Sequence, residues 1–303
     1  MKLNVGMIET RFPPFGDGRP ADPWLFAREA ERLGFESLWA GEHHLIPGRS
    51  GSSNEFHTSG VPATPDCLVR LAGVAAATRT LKIGTSILLL PQHHPILLAK
   101  QLATLDQDCG GRLEIGIGMG WNREECEIMG GHFDRRAAQT RESVEAMKKL
   151  WTHEFVEHHG EFYDFPPVKS SPGPLTRLHP PILLGMHSER ALARVVAYGD
   201  GWLESVTRPE ALRGEGVEHI ARGREKLDAL CREAGRDPAS VPISVILTDV
   251  RGDVDADLVR RYHQAGAVRV VLLGEKSEPG DFASERAALD WLARRAGRVL
   301  GHA

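Results

Sequence analysis

The chain has 303 residues, of which 41% are hydrophobic and 26% are charged, and its formal net charge is -4. This size suits one large α/β barrel or two medium domains. The charge gives no reason to expect nucleic acid or an anionic membrane as partner. No apolar run reaches membrane-spanning length and no signal-peptide pattern begins the chain, so we expect a cytoplasmic protein.

Strand patterns and helix patterns alternate along the chain. Strands are predicted at 3–8, 37–40, the start of 81–90, 112–117, 181–184, 201–203, 241–247 and 268–273. Helices are predicted at 23–33, 65–78, 95–108, 135–151 and 188–198, and further helical stretches follow the last two strands. Eight such units predict an α/β fold, a single (β/α)8 TIM barrel that spans 1–303 as one domain.

Two long connections interrupt this alternation. They cover 42–64, which is rich in Gly, Ser and Pro, and 154–180, which contains a proline cluster. We expect both insertions at or near the carboxyl-terminal face of the barrel, where barrel enzymes carry their functional loops.

A glycine-rich segment, GGRLEIGIGMGWNREECE at 110–127, is the most informative part of the sequence. Its strand runs into glycines at every second position, Gly116, Gly118 and Gly120. Such glycines remove side chains from one face, so a flat ligand could lie against bare backbone there. A tight strand-to-helix turn with packing glycines explains the same pattern. The spacing does not fit the dinucleotide fingerprint, because its last glycine would fall at Trp121.

Histidines supply candidate acid–base groups. Glu42, His43 and His44 directly follow the second strand, and neighbouring residues on an extended chain point to opposite sides, so both histidines cannot face one ligand. We favour His43 as an acid or base, although a purely structural role stays open. The pairs 93–94 and 158–159 are interpreted as surface or loop histidines. Adjacent histidines are poor joint ligands for one ion, so no metal site is predicted.

Other candidate features are weaker. The four cysteines have no paired spacing, which favours buried thiols. The third strand ends in small hydroxyl residues, including Ser86, next to the apolar Ile87, which suits either a flat ring or ordinary packing. Ser188 is a plausible N-cap whose helix start could bind phosphate or simply be capped. No hydrolase elbow or phosphate loop of the GxxxxGK type is found.

The ordered set of segments resembles the luciferase-like monooxygenase superfamily of flavin- and deazaflavin-dependent barrels. The resemblance covers about 1–204 and rests on these segments in order: GFESLWAGEHH, LKIGTSILLLPQHHPILLAKQLATLDQDCGGRLEIGIGMGWNREE, LWTHEFVEHHGEFYDF and HPPILLGMHSERALARVVAYGDGWLE. Within the superfamily the chain is most similar to the branch described as probable F420-dependent oxidoreductases.

The resemblance implies roles for individual residues. His43 corresponds to the histidine that approaches the redox ring and the substrate. The residues implied to contact the cofactor are Ser86 and Ile87, which form a cis peptide in many members, Met119, Gly120 and Trp121 beside the ring edge, and Gly185, Met186, His187 and Ser188 at the phosphate. The chain departs from relatives at Met186, where a second glycine is common. It also departs at Trp121, where some F420-dependent sugar-phosphate dehydrogenases have glutamate, which argues against that substrate.

Three functions follow as hypotheses. The first is hydride transfer between F420 and a small organic substrate. The second is FMN-dependent monooxygenation with molecular oxygen and reduced flavin from a partner reductase. The third is a non-catalytic flavin-binding protein on the same scaffold. A homodimer is implied by the resemblance alone.

Overall fold

Eight parallel strands close into one barrel in a computed structural model that describes residues 3–8, 22–47, 65–185, 189–207, 214–248, 254–273 and 284–301. The strands are β1 (Val5–Ile8), β2 (Ser37–Ala40), β3 (Lys82–Thr85), β4 (Leu88–Leu89), β5 (Leu113–Gly118), β6 (Val156–His159), β7 (Asp164–Val168), β8 (Ile182–Leu184), β9 (Gly201–Val206), β10 (Ile243–Leu247) and β11 (Ala267–Leu273). The barrel order is β1-β2-β3-β5-β8-β9-β10-β11, and β11 pairs with β1. The predicted TIM barrel is confirmed.

Helices cover the outside of this barrel. They are α1 (Pro23–Arg32), α2 (Cys67–Ala77), α3 (Pro95–Asp108), α4 (Arg123–Ile128), α5 (Arg136–Thr152), α6 (Glu189–Tyr198), α7 (Glu215–Glu233), α8 (Ala256–Gln264) and α9 (Glu285–Leu300). Asp22 caps α1 by accepting a hydrogen bond from the Trp24 N–H at 2.8 Å, as the Asp-Pro start predicts. Across the described part of the chain, no helix is long and apolar enough to cross a membrane.

The third barrel strand is split. β3 pairs with β2, and after a break at 86–87 the short β4 pairs with the carboxyl end of β5. The sequence predicts a single strand start here, and the break places two residues off the ladder beside the barrel mouth. The sixth barrel strand, β9, runs to Val206 rather than ending at 203. The sequence does not predict this extension, because the polar residues Glu204 and Ser205 interrupt the apolar run. In the structure Glu204 is nevertheless buried.

An ion network closes the amino-terminal end of the barrel. Arg269, at the start of β11, is 4% exposed and donates hydrogen bonds to Glu36 at 2.6 Å and to Glu114 at 2.6 and 2.8 Å. Lys82 lies 3.0 Å from Glu114 and 3.2 Å from Glu36. Two cations therefore face two carboxylates, and the guanidinium lies 5.4 Å from the centre of the buried Trp39 ring above it.

The insertion at 154–180 contains an antiparallel hairpin, β6 and β7, that the sequence does not predict. The segment leaves α5 and leads into β8, so it starts at the amino-terminal end of the barrel. There Asp106, near the end of α3, accepts hydrogen bonds from the Thr176 N–H and hydroxyl. Only the hairpin tip approaches the other end, where the Tyr163 hydroxyl lies 3.3 Å from the His93 carbonyl oxygen. The expectation that the whole insertion lies at the carboxyl-terminal face is therefore wrong for its base.

Candidate active site

Four neighbouring barrel strands bring most of the predicted site residues to one end of the barrel. His43 follows β2, residues 86–87 follow β3, Met119 to Trp121 follow β5, and Gly185 follows β8. These strands are consecutive in the barrel and parallel, so their carboxyl ends lie side by side. Met186, His187 and Ser188 lie outside the described residues, so their predicted phosphate contact stays a prediction.

The peptide bond between Ser86 and Ile87 is cis, as the resemblance implies. Ile87 is partly exposed and packs against the small apolar cluster inside the barrel. A Cβ on Gly118 would lie 2.0 Å from the Ile87 Cδ1 atom, and a Cβ on Gly185 would lie 3.1 Å from its Cγ2 atom. Both glycines therefore make room for the Ile87 side chain.

This packing corrects the interpretation of the alternating glycines. A Cβ on Gly116 would lie 2.1 Å from the Thr85 carbonyl oxygen, so protein backbone fills that face. The bare faces of Gly116 and Gly118 are occupied by the third strand, not open to a flat ligand. The sequence could not reveal this because the filling atoms come from another strand. At Gly120, by contrast, nothing lies closer than 3.8 Å to an added Cβ, and φ is +77°.

His43 is held by a buried carboxylate. Its Nδ1 atom lies 2.8 Å from Oε2 of Glu125, whose side chain is 1% exposed. The other carboxylate oxygen accepts the backbone N–H of His44 at 2.9 Å. Since a carboxylate only accepts hydrogen bonds, Nδ1 of His43 donates, and in the neutral ring Nε2 carries the lone pair. The pair therefore sets both the tautomer and the orientation of the ring.

Trp121 stands beside this dyad. Its ring centre lies 5.8 Å from that of His43 with an angle of 70° between the planes, and the tryptophan is 41% exposed. Met119 is partly buried and packs against the main core. The carboxyl end of β5 thus presents a large apolar surface next to a polar ring, a combination common in small-molecule sites.

A second cluster lies behind His43. Glu42 is buried, and its Oε2 atom accepts the Leu89 N–H at 2.7 Å and lies 2.9 Å from Nε2 of His93. Nε2 of His44 lies 3.3 Å from the same His93 nitrogen and 3.6 Å from Oε1 of Glu42. Burial by itself raises the pKa of Glu42, but the His93 hydrogen bond and charge together with the Leu89 N–H outweigh it and hold this pKa below its ordinary value.

The two adjacent histidines therefore have different partners, as the extended-chain argument predicts. The interpretation of the other pairs as surface or loop histidines is wrong for His158, which is buried on β6 with Nε2 3.2 Å from Glu142. The four cysteines are buried free thiols, as predicted.

Sequence reasoning missed Glu125 and the partnership of Glu42 with His93. Asn122 caps α4 by accepting the Glu125 N–H at 3.1 Å, so the spacing from 122 to 125 is that of a capping box. A capping-box glutamate would turn back to its own helix start, whereas this carboxylate reaches another strand. The spacing from 122 to 125 therefore indicates only a helix start. The contact of Glu125 with His43 cannot be predicted from it, because that contact depends on how the barrel strands are arranged.

Comparison with known proteins agrees with this geometry. The family model for luciferase-like monooxygenases matches residues 17–298. An uncharacterised protein of Mycobacterium tuberculosis is 30% identical over 266 residues, which cover 84% of this chain and 87% of that protein. The chain therefore belongs to the luciferase-like monooxygenase family.

Two solved structures share the fold. An F420-dependent secondary alcohol dehydrogenase in complex with an F420–acetone adduct superposes with a TM-score of 0.70 and 18% identity, covering 98% of this chain and 100% of that one. The oxygenating constituent of 3,6-diketocamphane monooxygenase from Pseudomonas putida, in complex with FMN, has a TM-score of 0.71 and 17% identity, covering 100% and 99%. The first of these neighbours binds F420 and the second binds FMN.

Proposed function

We propose that this protein is an F420-dependent oxidoreductase that transfers hydride between the deazaflavin and a small organic substrate. The observation that carries the proposal is the His43–Glu125 pair, a histidine with a set tautomer at the carboxyl end of β2. Hydride transfer to or from a carbonyl or alcohol carbon requires proton transfer at the neighbouring oxygen. A histidine whose Nε2 faces the substrate can accept or donate that proton.

The residues at the barrel mouth fit a flat tricyclic group. Ile87 and Trp121 supply partly exposed apolar surface after two neighbouring strands, and the lack of a side chain at Gly120 keeps the segment between them narrow. When bound, the cofactor supplies the hydride chemistry. The chain supplies the apolar walls, the exclusion of water and the proton at Nε2 of His43.

Glu125 completes this arrangement as a positioning residue. Its carboxylate orients the imidazole and favours the positive charge that the ring gains on accepting a proton. Glu125 also accepts a hydrogen bond from the backbone N–H of His44, so it fixes the position of the backbone next to His43. The same walls would bound the substrate, and its identity depends on the insertions 42–64 and 154–180, of which 48–64 lies outside the described residues.

Cofactor titration tests the proposal. Cofactor-free protein is titrated with F420 and, separately, with FMN, and binding is followed by fluorescence. We expect much tighter binding of F420, followed by a loss of the F420 absorbance when the protein is mixed with an active member of a panel of small alcohols.

Other results would support the rival functions. Tighter binding of FMN, together with oxygen-dependent product formation that needs a flavin reductase, would favour the monooxygenase. Binding of either cofactor without turnover of any substrate would favour a non-catalytic flavin-binding protein.

The proposal also includes a homodimer in the cytoplasm, with a flavin or F420 reductase as a possible partner. Light scattering on the purified chain measures the oligomeric state.

A further inference from the structure

The cluster behind His43 has the composition of a metal site. We propose that Glu42, His44 and His93 bind a divalent cation of the zinc type. The three ligand atoms lie within 4.8 Å of one another, and they are two imidazole nitrogens and a carboxylate oxygen. Two histidines and one glutamate form a known zinc ligand set that leaves one position open.

The separations between the ligand atoms fit such an ion. The Nε2 atoms of His44 and His93 are 3.3 Å apart, and their distances to the two oxygens of Glu42 are 3.6 and 2.9 Å. Ligands at zinc bond lengths of about 2.0–2.1 Å in a tetrahedron are separated by about 3.3 Å. The two imidazole nitrogens are therefore already at such a separation, and each lies close to one oxygen of the Glu42 carboxylate.

The Nε2 atom of His93 lies within hydrogen-bonding distance of both Glu42 and His44, but it cannot donate to one and accept from the other at the same time. If Nε2 of His44 donates to Nε2 of His93, then the latter presents a lone pair to the Glu42 carboxylate. If His93 donates to Glu42 instead, its Nε2 has no lone pair left to accept a hydrogen bond from His44, and protonating both Nε2 atoms brings two N–H groups together. A shared cation satisfies all three ligand atoms at once.

Neighbouring groups hold the carboxylate in place. Glu42 has a side chain that is 3% exposed, its Oε2 atom accepts the Leu89 N–H, and its Oε1 atom accepts the Cys67 thiol at 3.5 Å. The side chains of His44 and His93 are 20% and 14% exposed, so an ion can enter past them. Contacts of this kind orient metal ligands and raise affinity.

The ligand types select the metal. Two imidazoles and a carboxylate suit Zn²⁺, whereas Ca²⁺ and Mg²⁺ prefer ligand sets made of oxygen. The site also joins two loops, because Glu42 and His44 follow β2 whereas His93 lies beyond β4. Bound zinc would therefore stabilise the backbone that carries His43, and the inference does not depend on which cofactor occupies the barrel mouth.

No metal site is predicted from the sequence, because two adjacent histidines are poor joint ligands for one ion. The proposed site instead takes one histidine from each of two pairs, His44 and His93. The other member of each pair has a different contact. His43 contacts Glu125, and His94 is the N-cap residue of α3.

Metal binding to the full-length, untagged chain tests the inference. Protein treated with a chelator and dialysed is titrated with Zn²⁺ by calorimetry and with Co²⁺ by visible absorbance. We expect one ion per chain, a Co²⁺ spectrum typical of four-coordinate geometry, and a thermal midpoint that rises with Zn²⁺ concentration. The variant His93→Gln should bind on the order of 100-fold more weakly.

The matched control is His159→Gln. His159 also lies in a His-His pair, but it is exposed and bonds to Asp164, so this variant should bind zinc like the wild type. Circular dichroism reports whether His93→Gln folds, and His44→Gln replaces it if it does not. The absence of stoichiometric zinc binding, or equal affinity in the folded ligand variant and the wild type, would overturn the inference.

Discussion

The two ends of the barrel treat buried charge in opposite ways. At the amino-terminal end, Arg269 and Lys82 face Glu36 and Glu114, so two positive and two negative groups balance. At the carboxyl-terminal end, the buried Glu42 and Glu125 face histidines, whose charge depends on a proton. The first arrangement is complete within the chain.

The arrangement at the carboxyl-terminal end, where Glu42 and Glu125 face histidines, has no permanent cation among the described residues to balance the carboxylates. As proposed above, His43 exchanges a proton with the substrate and His44 and His93 bind an ion, and the same barrel core holds both ends. A closed ion network therefore secures the scaffold, whereas we assign the proposed chemistry to the end where the carboxylates face histidines. Variants at each end test this division, since one set should affect folding and the other activity.

The largest effect is expected for His43→Ala. Loss of a general acid–base group lowers turnover by about 10²–10⁴-fold, whereas folding should change little because the side chain is partly exposed. Steady-state kinetics with F420 and the best alcohol from the panel measures the change, and the exposed His153→Ala is the control. Activity within a few-fold of the wild type would remove His43 from the mechanism.

At the other end, Arg269→Met should lower the free energy of unfolding by about 3–5 kcal/mol, because it leaves two partly buried carboxylates without their main cation. Chemical denaturation measures this loss. Arg123→Met is the control, since Arg123 forms its ion pairs with Asp134 and Glu127 at the exposed surface, and its loss should be much smaller. Equal destabilisation by both variants would contradict the role assigned to the buried network.

Glu125→Gln should lower kcat by roughly 10- to 100-fold, the range expected for losing a charged hydrogen bond, with little change in the Kd for the cofactor. The amide no longer favours a charged His43 ring. Glu127→Gln, on an exposed position of the same helix, should keep wild-type activity. A rise in KM with an unchanged kcat would instead indicate a role in binding.

The smallest effect is the loss of folding stability that we expect when the pH is lowered. Burial raises the pKa of Glu36, but the hydrogen bonds and charge of Arg269 outweigh it and lower this pKa from 4.5 to about 2. A carboxyl group with a lowered pKa in the folded state stabilises the fold above its unfolded pKa, and this contribution is lost as pH falls toward the folded value. Between pH 7 and pH 4 we expect a loss of about 1 kcal/mol from this group.

Denaturation curves at both pH values measure that loss. The Arg269→Met substitution removes the main cause of the lowered pKa of Glu36, so the loss between pH 7 and pH 4 should shrink in this background. An unchanged loss in this background would show that the acid sensitivity comes from other carboxyl groups.

The barrel can be predicted from local sequence patterns. Its eight apolar strands, the cap at Asp22 and the helix at α3 follow from patterns that act over a few residues, so they can be read locally. The position of His43 after β2 also follows from the sequence, since the carboxyl ends of parallel strands meet at one end.

The contacts between side chains in the candidate site cannot be predicted in this way, because the residues that meet are far apart in the sequence. Glu125 lies 82 residues from His43, and His93 lies 51 residues from Glu42, so no local pattern announces either contact. The same holds for Ile87, which fills the space beside Gly118 from another strand. Strand alternation and helix caps are short-range properties of the chain, whereas the partner of a buried charge depends on barrel closure.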